Sequence, residues 1–310
     1  MQQNPAVTIP VKKSQNAGRR RSDWKQAILL LLPMVAFVLI FTYLPAGMSL
    51  VLGLFHYHLL GVNTTFAGLT NFKDALTYPI FWIALKNTLV YAVYMVPLTI
   101  AGAIGIALLI DQKSRYYAML RTFVLLPYIT PVIATSIGWL WMFNPQYGIL
   151  NVVLHWLHLP QSQWLQSPTM AMPSIALYTL WHGLGFNVVI VLSALSSIPK
   201  HVQEAASIDG ATGWTRFRRI TLPLLSPTVF FLLIITTIGT LQAFSQVFAL
   251  SSGTGGPAYS TTTLLLLIYQ TAFQDFHFSY AASMAMLLVL VILLLTLIQN
   301  WLSKRWVFYQ

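Results

Sequence analysis

Residues 27–55 read AILLLLPMVAFVLIFTYLPAGMSLVLGLF, a stretch of 29 residues without a charged side chain. A helix needs about 20 apolar residues to cross the hydrocarbon core of a bilayer, so this stretch is long enough to span one. The preceding segment is basic, as in a signal peptide, but the apolar run is too long and lacks a small-residue cleavage site. We therefore predict an uncleaved first span after a basic cytoplasmic tail over residues 1–26.

The rest of the chain repeats this apolar pattern. Further runs of membrane-spanning length lie at 88–110, 118–143, 172–195, 224–247 and 280–302. Of the 310 residues, 57% are hydrophobic and only 7% are charged, whereas soluble domains carry about 25% charged residues. The sequence predicts an all-α fold, a polytopic membrane helix bundle of about six transmembrane helices over residues 27–310.

The basic residues indicate the orientation of these spans. All 17 Lys and Arg residues except Lys73 and Lys86 lie in the N-terminal tail, in the second–third and fourth–fifth connections, or near the last span. Because cytoplasmic loops retain Lys and Arg, both termini are predicted to be cytoplasmic. This distribution explains the net charge of +11 without a nucleic-acid partner. The chain has no cysteine, which excludes disulfide and thiolate chemistry.

Two spans carry local packing signals. Ala101 and Gly105 form a small-xxx-small pair, which lets helix backbones approach closely in lipid. Pro127 and Pro131 bracket Tyr128 in the third span. Because proline removes backbone hydrogen bonds, we expect a kink there.

The connection between the fourth and fifth spans, residues 197–227, holds more apolar residues than a solvated loop needs. Pro199 suits the first turn of a helix, and Gly210 suits the left-handed residue that follows its end. Thr212 is placed to cap a second short helix, which carries Trp214. The sequence therefore predicts two short helices on the cytoplasmic face.

Two explanations of this apolar surface remain open. The helices could form an amphipathic hairpin on the lipid, or they could dock in the groove of a partner protein. Glu204 and Asp209 favour the partner, because an anionic inner leaflet disfavours acidic side chains.

The loop resembles the EAA motif of binding-protein-dependent ATP-binding-cassette (ABC) importer permeases, EAA-x3-G-x9-I-x-LP. The residues that match it are Glu204, Ala205, Ala206, Gly210, Ile220, Leu222 and Pro223, with the spacing kept throughout. Asp209 and Ala211, together with the segments 126–128, 255–257 and 261–263, are similar to the carbohydrate-type subfamily of maltose/trehalose and glycerol 3-phosphate permeases.

The resemblance implies that the loop is a coupling helix that docks in a cleft of a separate ATPase. Glu204 would be the ionic contact, Gly210 the turn, and the apolar side chains the docking surface. The coupling residues carried over are Glu204, Ala205, Ala206, Asp209, Gly210, Phe217 and Pro223. Closure of two ATPase subunits around ATP would move this loop and switch the pathway between inward and outward access.

The resemblance also implies the partners of the chain. They are ABC ATPase subunits, a second homologous permease, an extracytoplasmic solute-binding protein and membrane lipid, in the inner or plasma membrane of a bacterium or archaeon. The sequence contains no G-x-x-x-x-G-K-[ST] motif, so ATP and Mg are expected on the partner ATPase. We expect this chain to be a transport subunit rather than an enzyme, without a cofactor or metal of its own.

Polar residues within the spans are candidates for the solute pathway. Gln242, Ser245 and Gln246 are spaced as neighbours on one helix face in the fifth span, and Asn187 lies in the fourth. They would form either interhelical hydrogen bonds or the lining of the pathway, where Tyr128 could stack on a sugar. No charged residue lies in the middle of a predicted span, which argues against an ion-coupled secondary transporter.

The same absence of charge indicates the solute. A phosphate at membrane depth needs Arg or Lys donors or a helix N-terminus, whereas uncharged amides and hydroxyls suit a sugar. We therefore expect a di- or oligosaccharide, and glycerol 3-phosphate or another polyol phosphate is the alternative.

Overall fold

The computed structural model describes residues 19–57, 64–112 and 114–308, without the side chains of residues 19–23, 25, 200 and 203. Residues 1–18, which make up most of the predicted basic tail, and Lys113 lie outside the described residues. Within these ranges the only strands are β1 (Phe55–His56) and β2 (Thr65–Phe66), a short antiparallel pair. The predicted all-α class is therefore confirmed.

Nearly all of the first span belongs to a unit of its own, which ends at Val51. Helix α1 (Arg19–Val38) continues through a π-helical turn at Leu39–Tyr43 into α2 (Leu44–Gly53). Its apolar part, Gln26–Gly53, is 28 residues long and sufficient to cross a membrane. The helix starts before the apolar run, so the last residues of the predicted tail are already helical.

Three further helices are long and apolar enough to cross a membrane: α4 (Pro79–Ile110), α8 (Ala171–Ser197) and α15 (Phe278–Ser303). Two bent helix pairs complete the set. The first joins α5 (Arg115–Ile129) to α6 (Val132–Met142) at 96°, and the second joins residues 213–224 to α12 (Ser226–Leu241) at 67°. If each bent pair is one span, the described residues contain six, in agreement with the prediction of about six.

Shorter elements connect and flank the spans. The short helices are α3 (Thr70–Thr77), α7 (Ile149–Trp156), α9 (Lys200–Ile208), α10 (Gly213–Arg216), α11 (Leu222–Leu224), α13 (Ser245–Leu250) and α14 (Leu264–Tyr269). Single turns of 3-10 helix lie at Trp164–Gln166 and Pro257–Tyr259, and π-helical segments at Phe217–Thr221 and Gln270–Gln274.

The predicted kink in the third span is confirmed, and its angle of 96° separates the span into two helices. Pro131 has no N–H and ends the run of α5, and the backbone of Thr130 and Pro131 is extended, with ψ of 145° and 128°. The fifth span is also interrupted, because α12 ends at Leu241 and α13 begins only at Ser245.

Helix α8 lies at the centre of the second unit, residues 52–310, and packs against α4 and α5. Gly185 permits the close approach to α5, because a Cβ at this position would overlap the carbonyl oxygen of Val124. The buried side chains around α8 include Tyr91, Ile175 and Tyr178, each fully buried. These contacts set the walls of the cavity described below.

The small residues of α4 lie on two different faces of the helix. Ala103 and Ala107 are fully buried in the core, whereas Ala101 and Gly105 are exposed on the surface of the chain. A Cβ at Gly105 would meet no neighbouring atom within 4 Å. Within the described residues the helix turns its other small-residue face inward, so close packing through Ala101 and Gly105 stays a prediction.

Candidate functional site

The loop at 197–227 folds as the predicted pair of short helices. The first, α9, ends in a Schellman motif around Gly210, whose φ is +72°. The Ala211 N–H donates to the Ala206 carbonyl at 2.9 Å, and the Gly210 N–H donates to the Ser207 carbonyl at 3.2 Å. The left-handed backbone at Gly210 thus closes the end of α9 and turns the chain toward α10.

Thr212 occupies the predicted N-cap position of α10, but its side chain makes no capping hydrogen bond. The helix continues as a π-helical segment at Phe217–Thr221 and reaches Pro223 in α11. The 67° bend at Leu225 then leads into α12. From α10 to α12 the chain is therefore an irregular helical segment that leads directly into the fifth span.

The apolar residues of α9 divide between its two faces. Ala206 is 3% exposed and points into the chain, whereas Ile208 is 87% exposed. Glu204 and Ala205 are also exposed. The outer face of α9 thus presents an acidic side chain beside exposed apolar groups. Exposed apolar surface of this kind is typical of an interaction site.

The beginning of the second helix carries an aromatic pair. Trp214 is 72% exposed, and its ring centroid lies 5.2 Å from that of Phe217, which is half-buried. The two rings and the exposed Ala101–Gly105 face of α4 line an apolar groove of about 460 Å³. Among the predicted coupling residues, Asp209 and Gly210 are exposed and Pro223 is half-buried.

A second feature is a cavity of about 300 Å³ between α4, α5, α8, α12 and α13. It is lined by Tyr91, Met95, Thr99, Tyr128, Thr179, Gly183, Phe186, Asn187, Ile235, Thr236, Gly239, Thr240 and Gln246. Hydroxyl and amide groups supply the polar part of this lining, and none of the described residues that form it is charged. Such a surface can exchange hydrogen bonds with hydroxyl groups but cannot neutralise a phosphate.

The cavity brings together three of the five predicted pathway residues, Tyr128, Asn187 and Gln246. Asn187 is buried and donates from Nδ2 to the Gly183 carbonyl at 3.0 Å. The ring of Tyr128 stacks on that of Phe186, with centroids 4.9 Å apart and planes at 19°. The lining of the cavity therefore combines a stacked aromatic pair with hydroxyl and amide side chains.

Gln242 and Ser245 are placed differently from the prediction. The assumption that they share a helix face with Gln246 is wrong, because α12 ends at Leu241 and α13 begins at Ser245. Both side chains are exposed on the surface of the chain, and neither is among the residues that line the cavity.

Polar residues that the sequence reasoning missed also line the cavity: Tyr91, Thr99, Thr179, Thr236 and Thr240. The hydroxyl of Tyr91 is fully buried beside Thr179 and Gln246, yet it makes no hydrogen bond of ordinary geometry with the described residues. Their spacing along the sequence could have indicated a shared helix face. Tyr91 and Thr99 in α4 are eight residues apart, and Thr236 and Thr240 in α12 are four residues apart.

Residues 100–308 match the family described as binding-protein-dependent transport system inner membrane component. The match covers more than half of the chain, so this protein belongs to that family. The resemblance carried by the loop at 204–223 is thereby confirmed, and the chain is a multi-pass membrane permease.

Curated relatives come from several transport systems. The chain is 36% identical over 280 residues to the lactose transport system permease LacF of Rhizobium radiobacter, covering 89% of this chain and 93% of the relative. It is 31% identical to the sn-glycerol-3-phosphate permease UgpA of Pectobacterium atrosepticum, covering 94% and 97% of the two chains. The trehalose/maltose permease MalF of Thermococcus litoralis is 32% identical, with coverage of 79% and 82%.

Solved structures show the same fold. A chain of a bacterial alginate ABC transporter, crystallised in complex with a periplasmic protein bound to an alginate pentasaccharide, superimposes with a TM-score of 0.80. The two sequences are 26% identical, and the alignment covers 94% of this chain and 98% of that chain.

Proposed function

We propose that this chain is the permease subunit of an ABC importer for a neutral sugar, most specifically a di- or oligosaccharide. The observation that carries the proposal is the uncharged cavity lined by hydroxyls and amides between the membrane helices. The relatives named for lactose and for trehalose/maltose support the same solute class.

The alternative solute is glycerol 3-phosphate or another polyol phosphate, which the UgpA relatives favour. A phosphate leaving water for this cavity would need cationic donors or a helix N-terminus. No Lys or Arg lies among the described lining residues, so a phosphate would depend on a helix N-terminus or on cations of a second permease. A sugar needs only the donors and acceptors that the cavity already offers.

We assign the pathway residues in two groups. Tyr128, Asn187 and Gln246 would contact the solute in the cavity, with the Tyr128 ring stacking on a sugar face. Gln242 and Ser245, exposed at the break of the fifth span, would contact the solute where the pathway is shared with a second permease.

The loop at 197–227 would couple this chain to a separate ATPase, which binds ATP and Mg. Glu204 and Ile208 are exposed and lie four residues apart on α9, so an acidic and an apolar contact are available on one helix face, and Trp214 is exposed in the next helix. The complete importer would contain two ATPase subunits, this chain, a homologous permease and an extracytoplasmic solute-binding protein. Both termini and the loop would lie on the cytoplasmic side, as the Lys and Arg distribution indicates.

Uptake by the complete complex in proteoliposomes tests the solute class. We expect ATP-dependent accumulation of labelled lactose, maltose or trehalose, and competition by unlabelled sugar. Accumulation of glycerol 3-phosphate alone, with neutral sugars neither entering nor competing, would show that the sugar assignment is wrong.

Variants of the cavity test its role. Gln246→Ala should raise the KM for sugar uptake while the complex still assembles. Ser193→Ala is a matched control on α8, because Ser193 is exposed and its hydroxyl bonds only to the Val189 carbonyl of the same helix in the described contacts. Equal KM values for the parent and Gln246→Ala would indicate that Gln246 serves helix packing and does not contact the solute.

A further inference from the structure

The sharp bend in the third span exposes backbone carbonyls that a continuous helix would satisfy. α5 ends at Ile129 and α6 begins at Val132, so Thr130 and Pro131 lie between them in extended conformation. Pro131 cannot donate a hydrogen bond to the preceding turn. In the hydrocarbon region, carbonyls at such a break need donors from another part of the protein or from water in a cavity of the protein.

Helix α8 provides a donor on each side of the break. The Nε2 atom of His182 lies 3.1 Å from the Thr130 carbonyl oxygen, and since a carbonyl only accepts, Nε2 carries the proton in this contact. The Tyr178 hydroxyl donates to the Val132 carbonyl at 2.9 Å and lies 2.7 Å from Thr135 Oγ1. The Val132 carbonyl also accepts from Ser136 Oγ at 2.7 Å within α6, so Tyr178 adds a contact between α8 and α6, whereas His182 holds the carbonyl at the break itself. Tyr178 and His182 are four residues apart, so one face of α8 holds both ends of the break.

The same helix also positions the stacked aromatic pair of the cavity. Gly185 brings α8 into backbone contact with α5 at Val124, and Phe186 stacks on Tyr128. Tyr128 lies only two residues before Thr130, whose carbonyl His182 holds. A change in the bend would therefore move Tyr128 relative to the rest of the cavity lining.

We propose that His182 and Tyr178 are positioning residues that set the bend of the third span and thereby place Tyr128 in the cavity. The expected effect of these residues on sugar transport rests on the proposed function, whereas their expected effect on the bend does not. His182→Leu removes the donor to Thr130, whereas His182→Gln keeps an N–H at similar reach. We expect Leu to lower the maximal sugar uptake rate about five- to tenfold, as for the loss of one buried hydrogen bond, and Gln to restore most of it.

Distance measurements between two spin labels test the bend directly. The chain has no cysteine, so Tyr116→Cys on α5 and Trp141→Cys on α6 introduce two unique labelling sites in this chain. Both side chains are exposed, at 61% and 72%. Pulsed electron paramagnetic resonance on the assembled importer, with cysteine-free partner subunits, would give the distance distribution across the break.

We expect a narrow distribution in the labelled parent and in Ser193→Ala, a broadened or shifted one in His182→Leu, and recovery in His182→Gln. If His182→Leu does not assemble, Tyr178→Phe removes only a hydroxyl and should broaden the distribution by a smaller amount, because Ser136 Oγ still donates to the Val132 carbonyl. A distribution unchanged in the assembled Leu and Phe variants would overturn the proposal, as would equal broadening by Leu and Gln. Failure of sugar uptake in the parent would reject the sugar assignment alone, because the distances do not depend on the solute.

Discussion

Substitution of Gly210 tests whether the closed end of α9 is required for coupling. Gly210 has φ of +72°, and an added Cβ would meet no other atom within 4 Å, so the cost of Gly210→Ala is conformational rather than steric crowding. Placing Ala in the left-handed region costs about 1–2 kcal/mol. Asn tolerates that region, so Gly210→Asn should lose less. Gly210→Pro fixes φ near −65° and removes the N–H that donates to Ser207, and should be the most damaging.

These free energies translate into binding because α9 has only 9 residues. Helices shorter than about 12 residues are marginal in water. Nearly the full free-energy cost of the substitution should therefore appear as a lower population of the closed helix end. If the ATPase binds only that conformation, the apparent Kd rises by the same factor, about 5- to 30-fold for Gly210→Ala. Gly138→Ala is the control, since Gly138 lies in helix α6 with no atom within 4 Å of an added Cβ.

The Kd is measured by surface plasmon resonance as the ATPase subunit is titrated onto the purified permease complex. We expect affinity to fall in the order Gly, Asn, Ala, Pro at position 210, with Gly138→Ala equal to the parent. Parental affinity in both the Ala and the Pro variants would refute the reasoning. An Asn variant as weak as the Ala variant would show that left-handed backbone is not the property that matters.

Three other predictions follow from the coupling loop, the cavity and the charge distribution. Glu204→Ala should weaken ATPase association by about 2–5 kcal/mol if its ionic contact is buried, and pull-down with unchanged ATPase recovery would contradict this. Tyr91→Phe should leave the melting temperature of the complex unchanged or raise it, because the buried hydroxyl has no ordinary hydrogen bond to lose. The same variant should raise the KM for sugar uptake, and a clear fall in melting temperature would show that the hydroxyl does have a hydrogen-bond partner. Reporter fusions after Asp111 and Leu302 should be cytoplasmic and one near Gln163 external, and a cytoplasmic signal near Gln163 would overturn the topology.

Local chemistry made the loop at 197–227 readable from sequence. The position where α9 ends depends on one residue that tolerates positive φ, and Gly210 supplies it with the spacing that the motif requires. The bend of the third span was equally readable, since Pro131 cannot continue the hydrogen bonding of α5. In both cases the deciding interaction lies within a few residues of the feature.

The pathway residues were only partly readable, because hydropathy averages over a window and does not show where a helix stops. Residues 224–247 form a continuous apolar run, but α12 ends within it at Leu241, and Gln242 and Ser245 leave the face that carries Gln246. Threonines such as Thr236 and Thr240 resemble ordinary span residues until neighbouring helices enclose them.

The sequence by itself determined the membrane class, the family motif at 204–223 and the prediction of about six spans, because each depends on composition or on spacing along one helix. Only the tertiary structure decided which small residues of α4 face inward, Ala103 and Ala107 instead of Ala101 and Gly105. It also decided which polar groups meet in the cavity and that His182 holds the break beside Tyr128. These outcomes depend on how helices distant in sequence pack against one another, and an apolar pattern that suits lipid on every face does not specify that packing.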